Sequence, residues 1–313
     1  MIDTETGAHL WAARFDGDRA RLHELQTEIT GQIARTLDLE MTAAEGRRAQ
    51  RERPANPDAA DLAMRGWASY NQQYSREHVL QAHELFQRAL KIDPQLPEAW
   101  LGLARTSTPV LPLRWSPGLI EDLARAEEAL SHALPQAPRN AVAHWIRGDI
   151  LRGKRKFDDA IAAYETTVAL NQNFAPAYAS MGFAKIMSGR SAEAIQPVEQ
   201  AIRISPQDPM LNVWLYFIGH AYLHLGQVDQ AIAWGRKSLE AGPLWYAQVD
   251  LVAAYGLKRQ DGLAKATLLD LQKVKPDYTV RQWLSEGWSE YPVVLHEHDV
   301  IAEGMRKAGL GDN

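Results

Sequence analysis

His220 and His224 are the residues in this sequence best spaced for chemistry. On a helix, side chains four positions apart share a face, and two imidazoles so placed could hold a transition metal. No Asp or Glu of matching spacing supplies a further ligand, so the pair is read as lining a groove or surface, without a metal. His296, Glu297 and His298 are consecutive, and neighbours on a helix do not face one another, so they do not form one chelating cluster. The adjacent acids Asp158-Asp159 and Glu127-Glu128 are read as solvated helix faces, not acid–base pairs. The sequence has no phosphate loop, GxGxxG, HExxH or nucleophile elbow. It has no cysteine, which excludes disulfides, thiolate nucleophiles and cysteine-based metal centres. No catalytic residue, metal ligand, cofactor-binding residue or cofactor is therefore expected, and the chain reads as non-enzymatic.

Bulk composition agrees with a binding role. The 313 residues are 46% hydrophobic and 23% charged, with a net charge of −5. These values suit a folded chain and supply no basic field to recruit nucleic acid or an anionic membrane. Arg47, Arg48, Arg51 and Arg53 form a short basic run, but no aromatics interleave it as nucleic-acid contacts would require. The run Val213–Ile218 is too short to span a bilayer, and the first residues lack the basic-then-apolar layout of a secretory signal. A cytoplasmic protein with neither nucleic-acid nor membrane partners is expected.

The elements that must position these side chains repeat. AVAHWIRGDILRGKRKFDDAIAAYETTVALNQNF begins at Ala141, and APAYASMGFAKIMSGRSAEAIQPVEQAIRISPQD begins at Ala175. Their small residues Ala160 and Ala194 stand 34 residues apart. Gly148 and Gly182 would let a second helix approach the first, Tyr164 and Val198 would fill the space beside them, and Pro206 would stop the second unit. This pattern resembles the tetratricopeptide repeat, a helix–turn–helix unit that stacks into a solenoid. The resemblance extends to units at 58–96, 97–140, 141–174, 175–208, 209–244 and 245–278, together spanning 58–278, with 279–313 as a capping segment. The first unit has an enlarged turn near Tyr74–Glu77, and the second an insertion carrying Pro109, Pro112, Trp115 and Pro117. In the fifth, Gly235 stands where an aromatic is usual, with Trp234 beside it to compensate.

The N-terminal stretch is of another kind. Ile2-Asp3, Glu5-Thr6-Gly7, His9-Leu10-Trp11-Ala12 and Arg14-Phe15-Asp16-Gly17 precede Leu22, Leu25, Ile29, Ile33 and Leu37 at helical spacing. They resemble the last hairpin and helix of a TolB-like α/β domain, which in bacteria commonly lies between a signalling domain and tetratricopeptide repeats. That signalling domain is often a class III adenylate/guanylate cyclase or a winged-helix DNA-binding domain. Residues 1–42 are thus expected to be a remnant of the α/β domain, with Asp18 capping its helix, and 43–57 a polar linker. The expected fold is mainly α: about six tetratricopeptide helix pairs plus capping helices, preceded by that small hairpin and helix. The chain would be the C-terminal part of a longer cyclase-type protein.

The family resemblance also implies where a partner sits. First helices line the concave side of the array. The groove-facing positions are Trp67 and Tyr70 in the first unit and Arg105 in the second. Trp145, Asp149 and Arg152 follow in the third, Phe183 and Met187 in the fourth, and Tyr216, His220 and His224 in the fifth. Aromatics and Arg are the types that dominate binding hot spots. The Lys/Asn set with which co-chaperone repeats clamp a terminal carboxylate is missing. The expected partner is a protein or peptide, or an N-terminal signalling domain in cis or in trans. The alternatives are a free-standing peptide-binding adaptor and the output or sensor module of a winged-helix regulator.

Overall fold

In the computed structural model, residues 22–52, 57–72, 75–108, 118–286 and 289–312 are described. Among them the chain is helical and contains no strand. The hairpin expected at residues 1–15 and the cap expected at Asp18 lie outside the described residues, as does most of the insertion in the second unit.

Six helix pairs follow one another: α2 (Ala59–Tyr70) with α3 (Arg76–Ile92), α4 (Pro97–Ser107) with α5 (Leu119–Ala133), and α6 (Ala141–Gly153) with α7 (Phe157–Leu170). Then come α8 (Ala175–Met187) with α9 (Ser191–Ile204), α10 (Leu211–His224) with α11 (Val228–Ala241), and α12 (Trp245–Leu257) with α13 (Asp261–Val274). A short α14 (Val280–Ser285) and a longer α15 (Pro292–Lys307) end the chain.

The close approach read from the glycines is what holds each pair. A Cβ on Gly148 would stand 2.4 Å from the Tyr164 ring, and one on Gly182 would stand 2.2 Å from Val198 and 2.9 Å from the Ala194 carbonyl oxygen. Phe86, fully buried, fills the same place between Gly66 and Gly102 and so joins the first two units. Burying such a side chain is worth about 1.5–3 kcal/mol. In the fifth unit the place left empty by Gly235 is taken by Leu251 from the next unit, 3.0 Å from where a Cβ would be. Trp234 is only half-buried and carries the Lys237 ammonium over its ring. Compensation therefore comes from across the repeat boundary, not from the adjacent residue. The turn between paired helices uses one left-handed residue in each of the last four units: Arg155 (φ 58°), Gly189 (77°), Gly226 (68°) and Arg259 (54°).

Two features depart from the sequence expectation. Residues 43–52, expected as linker, continue the first helix, so α1 runs from Leu22 to Glu52. At 1.5 Å per residue it is about 46 Å long. Its polar second half consists mostly of good helix formers and packs on α2, where a Cβ at Gly46 would come 2.5 Å from that of Ala68. Its first half reaches the far end of the fourth unit: Gln32 donates to the Arg203 carbonyl oxygen at 2.9 Å, and Arg35 pairs with Asp208 at 3.4 Å. Gly31 is small because Asn173 lies 3.0 Å from its absent Cβ. α1 is thus a strut from α2 to α9.

The second departure is the C-terminal segment. α15 begins at Pro292 and crosses α12 so closely that a Cβ on Gly256 would stand 1.9 Å from the Gly304 carbonyl oxygen. The segment before it folds back over the ends of earlier helices. Ser289 donates to the Met187 carbonyl oxygen at 2.6 Å, and Arg155 pairs with Glu290.

Candidate functional site

First helices of successive units present their inner faces to one cavity, closed along one side by α1. Its volume is about 490 Å³, within the range of sites that bury a ligand or an anchoring side chain. α1 contributes Arg35, Leu39 and Thr42; α2 contributes Met64, Trp67 and Tyr70; α4 contributes Arg105. α6 supplies Val142, Trp145, Asp149 and Arg152, while α8 and α10 close the far wall with Phe183, Trp214 and Phe217.

Polar contacts hold the aromatic walls in place. The Trp67 indole N–H donates to the Glu98 carbonyl oxygen at 3.2 Å, and its ring meets Tyr70 and Phe86 edge-on. The Trp145 indole donates to the Ser180 hydroxyl at 3.1 Å, and its ring leans on Phe174 with centroids 5.3 Å apart. With their donors satisfied, both rings offer apolar surface at little conformational cost.

Beneath them lies a buried ionic network. Asp149 accepts from Arg105 at 2.5 Å, from Arg152 at 3.0 Å and from the Tyr164 hydroxyl at 2.6 Å. Arg105 also donates to the Tyr70 hydroxyl and stacks its guanidinium on Trp145, 4.0 Å from the ring centroid. Arg105, Asp149 and Arg152 are each at least 95% buried. Burial pushes the Asp149 carboxyl up, but Arg152 and Arg105 outweigh it and hold it below the usual carboxylate range. Burial, then the Asp149 charge, raises the Tyr164 hydroxyl well above the usual range, so it stays a donor. One Arg152 terminal nitrogen is buried without a partner. Over the whole lining, Arg35, Arg105 and Arg152 are matched by Glu45, Asp149 and Asp208. These charges therefore balance, and the surface that the cavity offers is mainly apolar.

Seven of the eleven residues expected in the groove line this cavity: Trp67, Tyr70, Arg105, Trp145, Asp149, Arg152 and Phe183. Met187, Tyr216, His220 and His224 do not. Each is at least 95% buried: the C-terminal segment covers Met187 and His224, and α12 packs on Tyr216 and His220. His220 and His224 accordingly contact Asp250 and Glu297, acids 30 and 73 positions away, and not a groove. His296 is exposed while His298 points inward. Among the described residues no group of three His, Asp or Glu is placed to hold a metal ion.

Sequence reasoning missed Phe174, the residue before α8, and Trp214 and Phe217 of α10. It also missed the face of α1. For the first three the signal is available, since large aromatics begin or cross first helices. For α1 no local signal exists.

Comparison with known proteins agrees with this geometry. A family model described as tetratricopeptide repeat matches residues 120–179 and 151–209, and a second of the same description matches 215–243. A protein of Rhizobium meliloti (strain 1021) named "Putative adenylate cyclase 3" is 28% identical over 160 residues, covering 51% of this chain and 27% of that one. The "Hsp70-Hsp90 organizing protein" of Triticum aestivum is 32% identical over 94 residues, 29% of this chain and 16% of its own length. The chain thus spans under a third of either relative. Among solved structures, the Cut9-Hcn1 hetero-tetramer of the APC/C superposes with a TM-score of 0.62 at 17% identity, covering 88% of this chain and 50% of that one. The human IFIT1 dimer with PPP-AAAA gives 0.57 at 17% identity, covering 93% and 67%. PilF of Pseudomonas aeruginosa gives 0.52 at 16%, covering 73% and 96%. At these identities the likeness is one of fold. Periodic sequence, stacked helix pairs and matching family models agree: this chain carries tetratricopeptide repeats.

Proposed function

We propose that the cavity bounded by α1, α2, α4, α6, α8 and α10 receives an apolar segment of a partner protein, and that the chain is a non-catalytic scaffold. The observation that carries this is the aromatic lining offered by consecutive first helices over an internally neutralised ionic floor. Aromatic anchors in a concave, pre-formed site are the usual source of binding energy in such interfaces. Charge balance across the lining favours a partner whose anchor is apolar. The partner chemistry follows the binding of proteins and peptides that the tetratricopeptide architecture supports.

The similarity to the Rhizobium meliloti protein over half of this chain favours a place in bacterial signalling, as the regulatory module of a cyclase-related protein. Its partner would then be a signalling domain.

The test is co-purification from the native host, identification of the captured protein, and titration of the purified pair. Trp67→Ala should weaken binding by about tenfold or more, as hot-spot truncations do, with unchanged helical circular dichroism. Unaltered affinity would show that the partner uses another face. Nucleotide cyclase turnover by the purified chain with metal and nucleoside triphosphate would overturn the non-catalytic reading.

A further inference from the structure

Outside the cavity, where the C-terminal cap meets the array, imidazoles and carboxylates form a closed cluster. On α10, His220 Nδ1 lies 2.7 Å from Asp250 Oδ2 of α12, and His224 Nδ1 lies 2.6 Å from Glu297 Oε2 of α15. The two Nε2 atoms face each other at 3.2 Å. The four side chains are between 0% and 19% exposed, so water does not mediate these contacts.

Hydrogen-bond chemistry sets the proton count. An ionised carboxylate only accepts, so each Nδ1 must donate. Those are two protons. The Nε2 pair then needs one more. With none, two lone pairs face each other; with two, N–H faces N–H. Shifting an Nδ1 proton onto its carboxylate leaves the total at three. We propose that His220 and His224 are a built-in proton site: one proton shared between these two rings of α10 gives the pair a positive charge, which strengthens the His224–Glu297 contact to the cap helix α15. Docking of α15 is therefore linked to pH, strongest in the single-proton state and weaker on either side.

The surroundings agree. From α10, Tyr216 stacks on His220 with ring centroids 5.2 Å apart. From α12, Tyr246 donates to Glu286 at 3.1 Å, as does Tyr278 at 2.9 Å, so this acid is already occupied. From α15, His298 lies 5.3 Å from His224, ring to ring. Burial, then His224 and His220, depress His298 to about 3, leaving it neutral beside the pair. Burial, then the charge of His220, also pushes His224 below the ordinary imidazole range. A depressed imidazole stabilises the fold above its unfolded value, and that contribution is lost as pH falls through its folded value. The acid limb thus lies below the usual imidazole range.

Long-range ¹H–¹⁵N correlation on the full chain with ¹⁵N-labelled histidine reads the count directly. At pH 7 the expected pattern is two protonated Nδ1 atoms and one proton averaged over two Nε2 atoms. Two neutral Nδ1–H rings, or two rings titrating independently at ordinary values, would overturn the proposal. Hydrogen exchange of α15 amides between pH 5 and 9, corrected for intrinsic rate, should show protection that falls on both sides. Glu297→Gln removes one carboxylate and so lowers proton affinity; both limbs should move to lower pH by about one unit, a tenfold change. Limbs that stay in place would refute the link. Calorimetry with zinc chloride alone should show no binding, whereas stoichiometric binding would replace the shared proton with a metal.

Discussion

Asp149→Asn tests the ionic floor of the cavity. The substitution keeps the side chain's shape and removes its charge. Asp149 now accepts from two guanidiniums and a hydroxyl at 2.5, 3.0 and 2.6 Å, all within buried protein. In the variant, Arg105 and Arg152 remain buried with no anion between them, and one amide N–H faces a guanidinium donor. Breaking a buried pair from one side costs about 3–5 kcal/mol, and here two pairs break at once. With urea slopes of about 1–3 kcal/mol per molar, the unfolding midpoint should fall by about 1 M or more. Circular dichroism reports the helices, while intrinsic fluorescence reports the ten tryptophans, among them Trp145, whose ring carries Arg105. Arg152→Met removes the cation whose terminal nitrogen has no partner and leaves one Arg to one Asp, so it should cost less. In that background Asp149→Asn should cost at least about 1 kcal/mol less than in the native chain, the coupling expected of residues in one network. Asp149→Asn costing under about 1 kcal/mol, or the same in both backgrounds, would refute this account. Acid titration gives a second check. The Asp149 carboxyl is held below its ordinary value, so its contribution is present above the unfolded carboxylate value and is lost only as pH falls through the lower folded one. The variant should show no such acid loss from this site.

Further predictions concern the cap and the turns. Gly256→Ala would place a methyl 1.9 Å from the Gly304 carbonyl oxygen, which is backbone and cannot rotate away. α15 should shift off α12 at a cost of about 1–3 kcal/mol, with limited proteolysis cutting before Pro292 in the variant; an unchanged melting temperature and digestion pattern would refute the crossing. Arg259 sits at φ 54° with an exposed side chain. A left-handed non-glycine residue is strained by about 1–2 kcal/mol, so Arg259→Gly should leave thermal stability unchanged or higher, and a loss above about 0.5 kcal/mol would show that the side chain contributes more than the strain.

The helix pairs were legible because a tetratricopeptide unit makes its contacts locally. Gly148 needs Tyr164, and Gly182 needs Val198, each within one unit. Spacing in the sequence therefore mirrors spacing in the fold, and the pattern recurs each time the contact does. The cavity was partly legible for the same reason: Trp67, Asp149 and Phe183 each follow the close-packing glycine of their unit and so occupy equivalent stations on first helices. The left-handed turns could have been read from Gly189 and Gly226, though not from Arg155 or Arg259, whose side chains hide the same backbone conformation.

From sequence alone came the class of unit, its phase, and the face that its first helices share. Tertiary structure decided which part of that face stays open. Gln32 reaches Arg203 across 171 positions, Ser289 reaches Met187 across 102, and Glu297 reaches His224 across 73. Each of these closures occurs once, so it leaves no period in the chain. Each depends on how far the stacked helices have curved, a sum of small rotations that no single unit encodes. That is why Met187 and His224, expected to meet a partner, meet their own C-terminal segment, while Tyr216 and His220 are buried against α12.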